Sequence, residues 1–479
     1  MSDGITSTDV RDAEADAAAA RTRPTAVVVG GGLAGITSAL ALADGGMDVT
    51  LLEGRPRLGG LAFSFKRGNL TVDNGQHVYL RCCTAYRWFL DRVDATSLAP
   101  LQERLDVPVL DADRNRLGRL RRTALPVPLH LAKSLATYPH LTLAERANVG
   151  RAALALKGLD PADPALDKRD FGSWLAEHGQ TQRAIEALWD LVGVATLNAV
   201  AGDSSLGLAA MVFKTGLLSE PGAADIGWAK VPLGELHDTL ARKALDSSGV
   251  RTGLRTRVTS ISRTDNGRWA VEVPEGPDGC GEVLRADAVV LAVPQREAHG
   301  LLPDQALDDK QRLLDIGTAP ILNLHVVYDR KVVKRPFFTA LGSPVQWVFD
   351  RTEASGLTSG QYLAVSQSAA QDEIDAPVAT LRKRYVPELE RLLPAARGAT
   401  IHDFFVTRER TATFAPTPGV GALRPSARTN APGLYLAGAW TATGWPATME
   451  SAVRSGTSAA DAALAALGRP RGHLFREAA

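Results

Sequence analysis

Cysteine is nearly absent from this chain: among 479 residues there are three, Cys82, Cys83 and Cys280. Sequence neighbours make a poor disulfide, and without further Cys or His in a ligand pattern they make a poor zinc site. A reduced, cytoplasmic setting is expected. An excess of one charge is also missing. Lys and Arg number 54 against 53 Asp and Glu, a net charge of +1, so a general nucleic-acid binder is not expected. No apolar run reaches the roughly 18–20 residues that span a bilayer. Residues 1–24 carry acids and no apolar stretch, so they read as a disordered tail and not as a secretory signal. Internal repeats are absent. What is present is a globular balance, 45% hydrophobic and 22% charged, in a chain long enough for two or more domains.

The first strong pattern starts at Thr25. Ala26 to Val29 is the apolar run of a buried parallel strand. Gly30-Gly31-Gly32-Leu33-Ala34-Gly35 follows, then an Ala- and Leu-rich helix from Ile36 that stops at Asp44-Gly45-Gly46. Asp48–Leu52 is a second buried strand, ending on Glu53. Strand, glycine turn, helix and strand with a terminal acid form the context that makes a GxGxxG pattern informative. Gly30 permits the tight turn, Gly32 lets backbone approach a pyrophosphate, and Gly35 lets the helix pack closely on the sheet. The helix N-terminus at Leu33 and Ala34 offers free N–H groups to phosphate. Glu53, 18 residues beyond Gly35, is placed to accept hydrogen bonds from a ribose. A second glycine-rich, basic loop, Gly54-Arg55-Pro56-Arg57-Leu58-Gly59-Gly60, is more than a nicotinamide domain needs. It suits the longer FAD.

Further along, helical spacing dominates 95–224, as in 142–157 and 171–178, and residues 234–247 read as another helix. Residues 250–262 and 269–273 alternate as strands of a hairpin joined through Asp265-Asn266-Gly267. Residues 286–293 form a buried strand that stops at Pro294. Residues 321–328 and 361–366 are strands of a further sheet, 434–437 is a last buried strand, and 448–467 a last helix. The fold class expected is α/β: a Rossmann-like FAD-binding domain, layered as sheet and helices, assembled from 25–94, 225–300 and 430–470. An α+β substrate domain is inserted as 95–224 and 301–429.

Gly30–Gly60 resembles the FAD fingerprint of the amine oxidase and phytoene desaturase superfamily, and Gly433–Gly456 resembles its second flavin motif. Val258 and Val293-Pro294 match its middle segments. The resemblance implies that Gly438, Ala439, Thr448, Met449 and Glu450 lie at the flavin end of the cofactor. Asp73-Asn74-Gly75-Gln76-His77-Val78, Arg81–Thr84, Ala224–Trp228 and Gly444–Glu450 resemble one branch, the squalene-associated hydroxysqualene dehydroxylases of bacterial hopanoid pathways. That branch implies reduction of hydroxysqualene to squalene by reduced FAD, a long-chain isoprenoid substrate and a separate, unidentified flavin reductant. A desaturase of squalene or phytoene type, and an FAD-stabilised isoprenoid carrier without catalysis, are the alternatives. The sequence departs from the superfamily at Ala439, where an acid usually holds the ribityl chain. The hydrogen bond lost is worth roughly 1.5–3 kcal/mol. Leu61 stands where an arginine often follows the second glycine pair. Thr448 replaces an amine oxidase's cage aromatic, and Trp440 and Trp445 are candidates to line the flavin face instead.

Dehydroxylation needs a proton for the departing hydroxyl. His77 is the first candidate, with binding to backbone or flavin as its alternative role. Asp225 and Asp73 follow, although Asp73 precedes Asn-Gly and also reads as a turn former. Glu450 reads as a capping acid at a helix N-terminus before it reads as a proton donor. Arg114, Arg116, Arg119, Arg121 and Arg122, followed by the apolar segment 125–143 with Tyr138, form a region, 114–143, that either contacts a membrane surface peripherally or covers a substrate tunnel.

Overall fold

The structure, a computed structural model, describes residues 23–274, 281–471 and 475. Most of the expected tail, and Cys280, lie outside the described residues. Cys82 and Cys83 are free thiols.

A five-stranded parallel sheet carries the glycine motif. Its strands are β1 (Thr25–Val29), β2 (Asp48–Glu53), β3 (Arg251–Leu254), β4 (Ala288–Leu291) and β5 (Leu434–Leu436), in the spatial order β5-β4-β1-β2-β3. Valine, leucine and alanine bury β1 and β4 on both faces, as a sheet sandwiched between layers requires. Helix α1 (Leu33–Asp44) leaves β1 through the glycine turn, and helix α2 (Met449–Ala466) packs against it. The two helices touch at glycine. A Cβ on Gly456 would come within 2.3 Å of the Ala34 carbonyl oxygen, and Ser38 Oγ donates to the carbonyls of Ala34 and Gly456 at 2.9 and 3.0 Å.

Residues 250–262 do not form one strand. The chain breaks at Arg255, which adopts a φ of 56°. It then continues as Ser260–Arg263 in a separate three-stranded antiparallel sheet with Trp269–Val273 and Glu282–Ala286. The break is held by two backbone bonds, Arg255 N–H to the Arg55 carbonyl and Thr256 N–H to the Glu53 carbonyl. Alternation alone does not reveal a strand that changes sheets.

The second large sheet has seven strands. Their order is Ile401–Phe414, Thr318–Tyr328, Gln361–Gln367, Trp347–Asp350, Phe337–Leu341, Asp106–Asp111 and Arg116–Arg121. The last two come from the stretch expected to be helical. With charged residues at three of its six positions, the Arg116–Arg121 edge strand hides its apolar pattern. The charges Asp403, Arg408, Glu409 and Arg410 hide the 14-residue strand Ile401–Phe414 in the same way. Helices from 143–157 and 171–218 and the helix Val378–Leu392 complete this half. The α/β class, with a Rossmann-like domain built from separated segments, is what the structure has.

Candidate active site

The glycines after β1 are fixed by contact. Gly30 has a φ of 108°, and a Cβ there would sit 2.4 Å from the Ala292 carbonyl oxygen. A Cβ on Gly35 would sit 1.8 Å from the Gly30 carbonyl oxygen. Gly32 is different: its Cβ would meet only the Gly60 Cα, at 3.7 Å. The second glycine loop lies directly over the first, with the Gly59 N–H donating to the Gly31 carbonyl at 2.9 Å. Helix α1 therefore begins under two layers of bare backbone. No side chain caps its N-terminus and its first turn holds no acid, while Leu33 and Ala34 are buried. A buried, uncapped helix N-terminus lined by glycine is a donor set for an anion, and it fits a pyrophosphate.

Glu53, at the end of β2, takes the Gly31 N–H on Oε2 and the Arg55 N–H on Oε1, both at 2.7 Å. Its carboxylate is therefore held at the rim of the cradle. Gly54 lies against Arg257, and Arg55 is exposed. Arg57 bonds the carbonyls of Leu58 and Gly60 and lies 3.3 Å over the Phe63 ring, where burial lowers its pKa. Val258 is buried and Val293 half-buried, and the Val293 carbonyl accepts from Trp440 Nε1 at 2.9 Å. Trp440 is thus a core residue anchored to backbone.

At the second motif Gly438 has a φ of 144° and donates its N–H to Ser455 Oγ at 2.8 Å. Thr448 caps α2, its Oγ1 accepting from the Ser451 N–H at 3.1 Å, and Met449 is half-buried against the α1 layer. Glu450 caps another helix: it accepts the N–H groups of Ala85 and Tyr86, at the start of Thr84–Arg92, and pairs with Arg454 Nε at 2.7 Å. Burial pushes its carboxyl up despite those partners.

At position 439 the chain carries alanine and supplies no acid. A residue that sequence reasoning missed, Arg424, organises this loop. Buried, it donates to the carbonyls of Ala439, Trp440, Thr441 and Trp445. Burial lowers its pKa to about 10. No local motif signals it, because its partners lie 15 to 21 residues away.

The polar turn Asp73–His77 meets the second sheet. His77 is half-buried, with Nδ1 3.0 Å from the Gly75 carbonyl. A carbonyl only accepts, so Nδ1 carries the hydrogen and Nε2 is left for other chemistry. Burial lowers the pKa of His77, partly offset by the Gly75 carbonyl, Asp73 and Glu409.

The two aspartate candidates need correcting. Asp225 is buried, and its oxygens take Arg122, Arg81 and the Leu105 N–H at 2.6 to 3.0 Å. Burial would raise its pKa, but these donors outweigh it and hold the group below the carboxylate range, a poor proton donor. Asp73 accepts from Ser64 Oγ, the Leu233 N–H and Arg351 Nη2 at 2.6, 2.9 and 2.8 Å. Both aspartates lock loops in place. Arg351, itself buried, was not foreseen. Glu409 was not foreseen either; it accepts from Asn74 Nδ2 at 2.9 Å.

This constellation defines a dinucleotide-binding oxidoreductase, and the chain belongs to the flavin containing amine oxidoreductase family, whose model matches residues 33–464. It is an FAD-dependent oxidoreductase. Among curated relatives, hydroxysqualene dehydroxylase from Rhodopseudomonas palustris is 30% identical over 92% of this chain and 98% of its own length. The hydroxysqualene dehydroxylase of Sinorhizobium fredii is 28% identical over 91% and 97%. The chloroplastic 15-cis-phytoene desaturase of Glycine max is 25% identical over 91% of this chain and 78% of its own. Cyclohexylamine oxidase from Brevibacterium oxydans shares the fold, with a TM-score of 0.69 at 18% identity over 94% of this chain and all of its own.

Proposed function

We propose that this enzyme reduces hydroxysqualene to squalene. The observation that carries the reading is the end-to-end match to hydroxysqualene dehydroxylases. The two glycine loops, Glu53 and the α1 N-terminus would hold FAD, which when reduced supplies a hydride. The chain's own part is to bind, exclude water and deliver a proton. The allylic C–O bond breaks with its electron pair on oxygen, His77 protonates that oxygen, and water leaves as the carbon accepts hydride. A separate electron donor then restores the reduced cofactor. The 25% match to a phytoene desaturase supports a second reading, dehydrogenation of a related isoprenoid.

The substrate partitions into lipid, and the edge strand Arg116–Arg121 with the turn after it supports docking on an anionic lipid surface. Leu117, Leu125 and Leu129 are about half exposed, at 47 to 53%, beside exposed Arg116, Arg119 and Arg121. Tyr138 takes no part: it is buried and donates to the Ala187 carbonyl at 2.8 Å. Among the described residues no helix is long and apolar enough to cross a membrane.

The test is anaerobic. FAD-loaded, chemically reduced enzyme is given hydroxysqualene in anionic or in neutral vesicles. Flavin reoxidation with matching squalene is expected, faster from the anionic vesicles. Flavin that stays reduced with the lipid unchanged rejects the dehydroxylase, and equal rates reject the lipid docking. Oxidised enzyme bleached by squalene or phytoene would favour the desaturase.

A further inference from the structure

The second glycine loop is held from outside itself. Gly59 and Gly60 have φ of 91° and 55°, and the Ala62 N–H closes a turn onto the Gly59 carbonyl at 2.9 Å. The N–H groups of the two central residues, Gly60 and Leu61, have no partner among the described residues. Gly60 lies against Gly32: a Cβ on it would come within 2.9 Å of the Gly32 Cα. A turn of this kind has little rigidity of its own, because glycine adopts many conformations.

Two adjacent side chains supply the rigidity. Asp238 Oδ1 accepts the Leu58 N–H at 3.0 Å, just before the glycines, and His237 Nδ1 donates to the Ala62 carbonyl at 2.9 Å, just after them. Both sit on the π-helical turn Glu235–Leu240, a winding frequent at functional sites. The chain entering that turn is anchored as well. The Leu233 N–H donates to Asp73 Oδ1 and the Gly234 N–H to Ser64 Oγ, at 2.9 and 2.8 Å.

His237 also reaches in a second direction. A carbonyl only accepts, so Nδ1 carries the hydrogen, and Nε2 accepts from the Tyr86 hydroxyl at 2.8 Å. Both rings are buried, and burial keeps the imidazole neutral by lowering its pKa to about 4. The Tyr86 N–H donates to Glu450 Oε2 at 2.7 Å, and Glu450 stands in the first turn of α2. A continuous path of hydrogen bonds thus runs from the Ala62 carbonyl to the helix start at the second motif. Packing alone does not call for an imidazole here: the Phe89 ring lies against it, and an apolar residue would fill the site without burying two ring nitrogens.

We propose that His237 is a positioning residue for the cofactor: it braces the second glycine loop against the start of α2 through Tyr86 and Glu450, so that the two motifs of the FAD site form one frame. This rests on FAD lying in the glycine cradle and not on the dehydroxylase reading. A frame already braced leaves less ordering for FAD to bring about, which strengthens binding. Through the same brace, FAD that orders the glycine loop also orders the helix Thr84–Arg92.

The experiment compares wild type, His237→Leu, His237→Gln and Tyr86→Phe as full chains, by flavin fluorescence titration and by hydrogen exchange with and without FAD. In wild type, FAD is expected to slow exchange in residues 58–62 and also in 84–92. In His237→Leu, FAD should bind at least roughly tenfold more weakly, and its protection should stop at 58–62. His237→Gln, which keeps a donor and an acceptor, should recover most of both. Joining His237→Leu to Tyr86→Phe should add little to the larger single loss, because the two break one chain of bonds. Undiminished FAD affinity in His237→Leu overturns the proposal. So does protection that still reaches 84–92 in that variant or is missing there in wild type, and so do losses that simply multiply in the double variant. Should His237→Leu not fold, Tyr86→Phe carries the test: protection of 84–92 by FAD must vanish in it, and its persistence overturns the brace. Gly32→Ala separates the two failures. If it binds FAD as tightly as wild type, the cradle reading is what falls.

Discussion

Gly32 and Gly35, three positions apart, separate binding from folding. Gly35→Ala drives a methyl into the Gly30 carbonyl at 1.8 Å, and backbone cannot step aside cheaply. A loss of about 3 kcal/mol is expected, read as a fall of several degrees in Tm. Gly32 has an extended backbone, with φ −75° and ψ 177°, and room for a methyl. Gly32→Ala should keep its Tm within about 2 °C yet weaken FAD at least tenfold, because the methyl fills the space between the two glycine loops. Equal FAD affinity in Gly32→Ala and wild type, by flavin fluorescence titration, would reject the pyrophosphate placement. The glycines were legible in the sequence because their meaning is local: turn, approach, helix start. Arg351, Arg424 and Glu409 were not. Each acquires its role from partners tens to hundreds of residues away, and an isolated arginine or glutamate in a charged stretch carries no trace of that.

At the scale of elements, the parallel strands and α1 could be read from apolar runs and stops, whereas the edge strands of the large sheet could not. Their exposed faces carry charge, which breaks alternation. Helix Thr84–Arg92 has a further hidden dependency. Its first N–H groups are satisfied by Glu450, the second residue of α2, more than 360 positions later. Glu450→Ala should leave the first turn of Thr84–Arg92 without its two acceptor oxygens, costing about 2 kcal/mol. Glu450→Gln keeps an acceptor and should cost about half as much. Hydrogen exchange is expected to rise first in residues 84–92. Protection unchanged there, with opening confined to α2, would show that the cap matters only to its own helix.

For the molecule as a whole, buried histidines set the response to acid. His237 is bonded to the Ala62 carbonyl and Tyr86 hydroxyl, and burial lowers its pKa to about 4. His325, between Tyr362 and Thr407, is lowered by burial to about 3. The unfolded chain takes up these protons near pH 6.5 and the folded one refuses them, so stability falls as pH drops from 6.5 towards 4 and 3. At pH 5 each histidine costs about 2 kcal/mol. Asp190 works the other way: burial raises it to about 6, and its uptake of a proton returns about 1.4 kcal/mol. A net loss of about 3 kcal/mol between pH 7.5 and 5 is expected from urea midpoints. A flat profile would mean that these imidazoles become hydrated before they are protonated.

The spatial order β5-β4-β1-β2-β3 has a consequence for synthesis. β1 leaves the ribosome early, but its neighbour β4 follows some 260 residues later, and β5 and α2 later still. A nascent chain stalled at residue 430 has the glycine turn and Glu53 but lacks both β5 and the helix that presses on α1 through Gly456. Such long-range closure is slow, and it leaves apolar strands waiting for partners. Cofactor capture is therefore an all-or-nothing event near the end of translation, and prematurely terminated chains should be substrates for proteolysis and never partial flavoproteins.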